Sequence, residues 1–193
     1  MDKIIYITGA SSKIGENLRL NLSESGHKVI VHNRTELKIH DNEIFVKFTL
    51  DDGIKPMIGA YEHIIFHLAH DYYDRRSYKN SNTEGLKKII YNFRHVTNKK
   101  IVFISTPDAE NKKTTIYTAQ KKISESLLDL SKDLIVRPSI IFSENELNNF
   151  FKYLPKIGVP IPVNNSKVAP MDVKKFSNEL LSYSFNKDSI GIV

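Results

Sequence analysis

Short apolar runs rich in β-branched and aromatic residues alternate along the chain with segments of helical periodicity. The runs predict β-strands at 3–8, 28–32, 43–48, 62–68, 100–105 and 133–137. Apolar residues three or four positions apart predict helices at 14–22, 86–93 and 123–130. Gly26 ends the first of these helices. Because the runs are apolar on both faces and alternate with helices, the predicted fold class is α/β, a doubly wound, Rossmann-like parallel sheet.

The pattern changes after residue 142. There we expect a helix around 146–153, a loop containing Pro155, Pro160 and Pro162, a helix over 172–185 and a terminal strand over 190–193. The chain therefore divides into a Rossmann-like domain, 1–142, and a short C-terminal region, 143–193, packed on the same domain. A length of 193 residues suffices for one well-buried α/β domain and is short for two.

Charge and composition narrow the classes of partner. The formal net charge is +6, but lysine pairs are spread between apolar stretches, which favours a solvated surface over a nucleic-acid interface. The absence of cysteine excludes disulfides, thiol catalysis and cysteine metal sites. The histidines show no metal-ligand spacing, so no metal site is predicted. Neither a signal peptide nor a membrane-spanning run is found, which predicts a soluble cytoplasmic protein with no membrane partner.

A glycine-rich segment, Thr8-Gly-Ala-Ser-Ser-Lys-Ile-Gly15, joins the first predicted strand to the first predicted helix. Gly9 and Gly15 stand where a tight turn lets the backbone approach a pyrophosphate at the N-terminus of a helix. The segment therefore predicts a dinucleotide site that includes Gly9, Ser11, Ser12, Lys13, Ile14 and Gly15.

The end of the second predicted strand indicates which dinucleotide is bound. An acid at this point binds the ribose hydroxyl of NAD, whereas an arginine accommodates the 2′-phosphate of NADP. The chain has Asn33-Arg34-Thr35 there, with no acid before Glu36, and Lys13 adds a second positive charge. We expect NADP(H), with NAD(H) as the alternative because Arg34 could equally be a solvated loop residue.

A Tyr-x-x-x-Lys pair, Tyr117 and Lys121, falls in a predicted helix, where residues four apart project from the same face. A nearby ammonium favours the phenolate, so we expect Lys121 to lower the pKa of Tyr117 from its ordinary value near ~10. A hydroxyl at the end of the preceding strand, Ser105 or Thr106, would hold a substrate carbonyl beside the phenol.

Short motifs spread over almost the whole chain carry a specific resemblance. They are Thr8 to Gly15, His67-Leu68-Ala69, Asn82-x-x-Gly85, Ile104-Ser105-Thr106, Tyr117-x-x-x-Lys121 with Glu125, Arg137-Pro138 and Pro170-Met171-Asp172-Val173. Together they resemble the short-chain dehydrogenase/reductase family. The match is closest to its extended branch, which includes NAD(P)-dependent sugar epimerases, dehydratases and reductases.

The resemblance implies roles for individual residues. Tyr117 would be the acid/base, and Lys121 would tune it and bind the nicotinamide ribose. Thr106, rather than Ser105, would orient the carbonyl. Besides Tyr117 and Lys121, the implied cofactor contacts are Gly9, Ser11, Ser12, Lys13, Ile14, Gly15, Asn33, Arg34, Leu50, Leu68, Ala69, His70 and Pro138.

The chain departs from the family pattern in three places. Ser12 and Lys13 occupy the two positions at which the family branches carry a middle glycine. Thr49 replaces the usual Asp near the end of the third strand. The substrate region after the sixth strand is much shorter than is usual in the extended branch, so the substrate stays open.

The leading hypothesis is an NADPH-dependent reductase that acts on a small-molecule carbonyl, the keto group of a nucleotide-linked sugar, with Tyr117 as the proton donor. The second is a sugar epimerase or dehydratase with tightly held cofactor. Pro107 and Asp108 replace the Asp-Glu pair of family dehydratases, which weakens that role. The third is an NAD(P)-binding regulator without turnover, although the presence of both Tyr117 and Lys121 favours an enzyme.

Three further expectations concern the surroundings of the site. His67 and His70 would line the crevice at the strand ends. Tyr72-Tyr73 contacts the substrate or forms an ordinary surface loop. The family also implies a homodimer formed through the helix at about 82–96 and the helix that carries Tyr117.

Overall fold

A computed structural model describes residues 2–76, 79–110, 115–143 and 171–193. The strands within these ranges are β1 (Lys3–Thr8), β2 (Lys28–Asn33), β3 (Glu43–Lys47), β4 (Glu62–His67), β5 (Lys99–Ile104), β6 (Leu134–Val136), β7 (Ile141–Phe142), β8 (Met171–Asp172) and β9 (Gly191–Ile192). The helices are α1 (Lys13–Ser23), α2 (Ser81–Asn92), α3 (Ile116–Glu125) and α4 (Val173–Phe185), and a 3-10 turn spans Pro107–Glu110.

The main sheet has seven parallel strands in the order β3-β2-β1-β4-β5-β6-β9, and β7 pairs with β8 separately. The order runs outward from β1 in one direction and from β4 in the other, so the predicted doubly wound, Rossmann-like fold is confirmed. Such a sheet binds ligands outside the carboxyl ends of its strands, at the point where the order reverses. That point lies between β1 and β4.

Two apolar clusters cover the two faces of the sheet. On one face, Ile5 and Ile7 of β1 pack with Leu18 of α1 and with Phe176 and Leu180 of α4. The cluster on the other face includes Ile4, Tyr6, Ile65, Leu86, Ile89 and Phe93. Burial on both faces explains why the central strands read as nearly continuous apolar runs.

The helix expected at 123–130 is displaced in the structure. Helix α3 ends at Glu125, and the backbone N–H groups of Leu127 and Leu128 donate to carbonyls three residues back. Leu128 is buried in the core from this tighter turn. Ile123 and Leu127 are half-buried and Leu130 is 47% exposed, so the apolar spacing did not mark a continuous core-facing stripe, and the prediction of a continuing helix was wrong.

The end of the chain returns to the main sheet. Helix α4 and strand β9 confirm the helix and strand expected at 172–185 and 190–193, and β9 pairs with β6. Lys100 of β5 donates to the carbonyl oxygens of Ser184, Asn186 and Ser189 at 3.3, 2.6 and 3.2 Å, which ties the end of α4 to the sheet. The helix expected at 146–153 and the proline loop lie outside the described residues, and the division at 142/143 stays a prediction.

Candidate active site

A cavity of about 550 Å³ opens at the carboxyl ends of the strands on both sides of the β1–β4 switch point. Nine of the residues expected to contact a cofactor line it: Gly9, Ser11, Ser12, Asn33, Arg34, Leu50, Leu68, Ala69 and His70. Its wall also contains residues outside that predicted set, namely His32, Thr35, Phe48, Thr49, Asp51, Asp71, Tyr72 and Ser81. The remaining predicted cofactor residues all fall within the ranges that the structure describes, but they do not line the cavity. They are Lys13, Ile14, Gly15, Tyr117, Lys121 and Pro138.

The glycine-rich turn brings three backbone segments into close contact. Gly9 has a φ of 68°, and a Cβ there would lie 2.8 Å from the amide nitrogen of Ala69. A Cβ at Gly15 would lie 2.7 Å from the carbonyl oxygen of Gly9. Ser12 caps α1 by accepting from Gly15 N at 3.1 Å. The N-terminus of α1 is thereby held at the edge of the cavity, where the positive end of the helix dipole favours an anion.

The buried hydroxyl of Thr8 links the glycine-rich turn to the end of β4. Thr8 Oγ1 accepts from Ala69 N at 3.2 Å and lies 2.9 Å from Nδ1 of His67. Burial, assisted by the charge of Lys121, lowers the pKa of His67 to about 3, so the ring is neutral, and its Nδ1 shares a hydrogen bond with the Thr8 hydroxyl. His67 is 2% exposed. The expectation that it lines the crevice was wrong, whereas His70 does line the cavity.

The end of β2 forms a second wall. The hydroxyl of Ser11 donates to Oδ1 of Asn33 at 2.9 Å, and Nδ2 of Asn33 donates to the carbonyl oxygen of Thr35 at 2.9 Å. These bonds fix the turn that contains Arg34, an exposed side chain on the cavity wall. The turn thus presents a cation at the position where a dinucleotide-binding fold meets the adenosine ribose.

The end of β3 closes the same part of the cavity. The Asp52 carboxylate accepts from the Thr49 backbone N–H at 2.7 Å and from its hydroxyl at 2.8 Å. Those bonds hold a turn whose residues Thr49, Leu50 and Asp51 line the cavity. Asp52 therefore stabilises this turn through its two bonds to Thr49.

Tyr117 and Lys121 lie on α3, which starts with a capping box between Thr115 and Thr118. Lys121 Nζ donates to the carbonyl oxygen of Ile104, the last residue of β5, at 2.7 Å. The same ammonium lies 4.7 Å from the centroid of the Phe103 ring and 5.7 Å from that of Tyr117. Burial lowers the pKa of Lys121 to about 8, with Glu125 opposing the shift.

The pKa of Tyr117 departs from the sequence-based expectation. Burial, followed by the neighbouring phenol of Tyr72, raises the pKa of Tyr117 to about 12. The prediction that Lys121 lowers this pKa was wrong, because desolvation of the phenolate is the dominant effect and raises it. Tyr117 is accordingly a protonated phenol at neutral pH, which is the form that a proton donor needs.

Ser105 and Thr106 differ in their surroundings. Ser105 is buried beside the carboxylate of Glu125, which also accepts from Arg137 at 2.8 and 2.6 Å. Burial raises the pKa of Glu125, but the hydrogen bonds and charge of Arg137, with a smaller effect of the nearby Ser105 hydroxyl, outweigh burial and lower the net pKa. Thr106 is half-buried and starts the turn that contains Glu110, a second ion-pair partner of Arg137. The more accessible hydroxyl is therefore that of Thr106.

Solved structures of similar fold provide a comparison. The Bordetella bronchiseptica enzyme WbmH, in complex with NAD+, is 19% identical and superposes with a TM-score of 0.75 over 100% of this chain and 75% of its own. UDP-galactose 4-epimerase gives 16% identity and a TM-score of 0.69 over 98% and 76% of the two chains. TunA, an NAD-dependent NDP-hexosamine 5,6-dehydratase of tunicamycin biosynthesis, gives 16% and 0.72 over 100% and 75%. The chain thus has the Rossmann-like fold of these enzymes.

No protein-family model and no curated protein sequence matches the chain. Across the part of the chain that the structure describes, no helix is long and apolar enough to cross a membrane. Within the same ranges, no cluster of three or more histidine, aspartate or glutamate side chains could hold a metal ion.

Proposed function

We propose that the chain is a member of the extended short-chain dehydrogenase/reductase branch. In this proposal it is an NAD(P)H-dependent oxidoreductase that reduces a keto group of a nucleotide-linked sugar. The observation that carries the proposal is a cavity at the topological switch point, bordered by a glycine turn and a helix N-terminus, with a Tyr-x-x-x-Lys pair next to it. The sequence motifs of that branch and the fold shared with NAD-dependent enzymes support it.

The cavity wall fits a dinucleotide. Close backbone packing at Gly9 and Gly15 keeps side chains out of the place where a pyrophosphate would meet α1. Ser12 offers a hydroxyl proton there, since its oxygen accepts from Gly15 N, and Arg34 offers a cation at the ribose end. For this reason we propose NADP(H) as the preferred cofactor, with NAD(H) as the alternative. A bound nicotinamide would supply the hydride.

The chain's own residues would supply the proton. The phenol of Tyr117, kept protonated by burial, would donate to the carbonyl oxygen of the substrate as that oxygen gains negative charge. The ammonium of Lys121 lies close enough to stabilise the phenolate that results. The Thr106 hydroxyl would donate a hydrogen bond that orients the same carbonyl oxygen.

A second candidate function is an epimerase or dehydratase that holds its cofactor tightly and takes the hydride back. It is favoured by the fold shared with UDP-galactose 4-epimerase and with the dehydratase TunA. The same phenol would then act alternately as base and acid. The two functions differ in one measurable respect, which is net consumption of NADPH.

The test is titration of the purified protein with NADPH and with NADH, followed by absorbance of the nicotinamide band on addition of nucleotide-linked 4-keto sugars. We expect substrate-dependent NADPH oxidation that falls by about 100-fold or more in Tyr117→Phe. Tyr73→Phe, an 88% exposed neighbour of the site, is the matched control and should retain the parent rate.

Other results would redirect or overturn the proposal. Cofactor binding with isomerised or dehydrated sugar and no net oxidation would favour the second candidate. Binding without any turnover would indicate a regulator. Failure to bind either cofactor would refute all three functions, the reductase, the epimerase or dehydratase, and the regulator.

A further inference from the structure

Tyr72 lies between the cavity and the catalytic tyrosine. It lines the cavity, and its ring stacks on that of Tyr117 with a centroid distance of 5.9 Å and an interplanar angle of 16°. His70 packs edge-on against both rings, at 4.6 Å from Tyr72 and 5.0 Å from Tyr117. Tyr72 is nevertheless 67% exposed. The three rings therefore form a cluster that presents an open aromatic surface beside the proton donor.

Two buried amides hold the loop that carries Tyr72. Asn82 of α2 is 4% exposed and bonds the backbone of Asp71 twice, accepting from its N–H at 2.6 Å and donating to its carbonyl at 3.0 Å. Gln120 of α3 is 2% exposed and donates to the carbonyls of Asp74 and Arg76 at 2.8 and 2.6 Å. Asn82 also donates to Gln120 at 3.0 Å, so the two amides form one network.

The other end of the loop is fixed by Asp74. Its carboxylate accepts from the backbone N–H of Ser81 at 2.6 Å and from the guanidinium of Arg76 at 2.9 and 2.7 Å. Buried polar side chains are costly unless their hydrogen bonds are satisfied, and here those bonds go to the loop backbone. The loop is thus bonded to both α2 and α3, and Tyr72 is held in place while its ring stays exposed.

We propose that Tyr72 is a specificity-determining residue that contacts the substrate ring, and that Asn82 and Gln120 are positioning residues that hold it beside Tyr117. This inference rests on the proposed function and deepens it. An aromatic face offers its π-surface to the apolar C–H face of a pyranose, which is polar only at its edges. The preferred substrate is accordingly a cyclic sugar whose keto group reaches Tyr117 while its ring packs on Tyr72.

The test compares steady-state kinetics and NADPH affinity of the parent, Tyr72→Phe, Tyr72→Leu and Gln120→Met with the nucleotide-linked keto sugar that the parent reduces. Tyr72→Leu should raise KM for the sugar about tenfold, because one aromatic contact is lost, and should lower NADPH affinity by less than that, since Tyr72 also lines the proposed cofactor cavity. Tyr72→Phe keeps the ring and should stay near the parent. Tyr73→Leu is the adjacent exposed control and should change neither constant.

Gln120→Met keeps the side-chain volume and removes the bonds to the loop. It should raise KM as Tyr72→Leu does, and the double variant should be no worse than either single variant, because both changes act through the same ring. An additive double variant would overturn the positioning role, and the Tyr72 variants decide the contact if Gln120→Met does not fold. If Tyr72→Leu is active and its KM is unchanged, the inference about Tyr72 is overturned but the proposed function stands. If the parent protein binds no cofactor, both the proposed function and this inference are overturned.

Discussion

The two halves of the candidate site are built in different ways. The half at the end of β1 is formed by consecutive residues, 8–15, whose backbone approaches Ala69 and whose glycines leave room for that approach. The half at the end of β5 is formed by side chains distant in sequence, such as Tyr72 and Tyr117, which meet only because separate loops and helices converge. The first half depends on backbone shape, and the second on burial and hydrogen bonding.

Because they are built differently, the two halves of the site should respond differently to amino-acid substitution. A backbone-built site fails when a Cβ intrudes, whatever the chemistry of the new side chain. A side-chain-built site can keep its shape and lose its chemistry, because pKa values and ring contacts depend on individual groups. Substitutions in the two halves should therefore separate cofactor affinity from turnover.

Among substitutions that change cofactor affinity, the largest effect is expected from Gly9→Ala, which combines a positive φ with a Cβ 2.8 Å from Ala69 N. Backbone strain of about 1–3 kcal/mol would be relieved only by moving the turn, so NADPH affinity should fall about tenfold to a hundredfold. Isothermal titration calorimetry measures it. Gly26→Ala is the matched control, since it has a φ of 70° and nothing within 4 Å of its Cβ. Equal losses of affinity in the two variants would contradict the role assigned to the Gly9 turn.

The pH dependence of turnover tests the half of the site that contains Tyr117 and Lys121. The pKa of Lys121 is near 8 and that of Tyr117 near 12, so Lys121 loses its proton first as the pH rises. In the proposed mechanism the ammonium is the active form, so turnover should be full below about pH 8 and fall above it by up to about tenfold per pH unit. Stopped-flow rates with saturating NADPH give the profile. A rate that stays level to pH 10 would show that the charge of Lys121 is not required.

The smallest effect is expected from Arg34→Ser. This exposed residue would contribute one charge-assisted contact to a 2′-phosphate, so NADPH affinity should fall about tenfold and NADH affinity should not change. Arg94→Ser, an exposed arginine over the Tyr91 ring, serves as the control. An equal loss for NADH and NADPH would remove the basis for the NADP(H) preference.

The sequence predicted the backbone-built half well because its signals are local. Gly9 and Gly15 identify the turn, and the apolar runs identify the strands to within about one residue at most ends. The C-terminal helix and strand were also predicted from pattern alone. Each of these features is determined by neighbouring residues or by a simple period, so no tertiary information was needed.

The side-chain-built half was predicted less completely. The spacing of Tyr117 and Lys121 could be read, but the balance between burial and charge that raises the pKa of Tyr117 depends on packing. Gln120 lies three residues after Tyr117 in α3, where a polar residue at a buried position is a signal that its amide has a partner. Nothing in the local sequence, however, identifies Asp74 as that partner, because the bond joins residues 46 positions apart.

The pairing of β7 with β8 determines where the chain can change in length without disturbing the main sheet. Ile141 and Phe142 lie in register with Met171 and Asp172, and Met171 N donates to Ile140 O at 2.9 Å. The sheet is completed by residues on both sides of this junction, so the stretch between them enters and leaves at adjacent points. In general, lengthening a flexible connection between two adjacent points of a fold costs only about 0.6 kcal/mol per doubling of its length. This junction is therefore a position at which segments of different length and chemistry could be exchanged while the Rossmann-like scaffold stays the same.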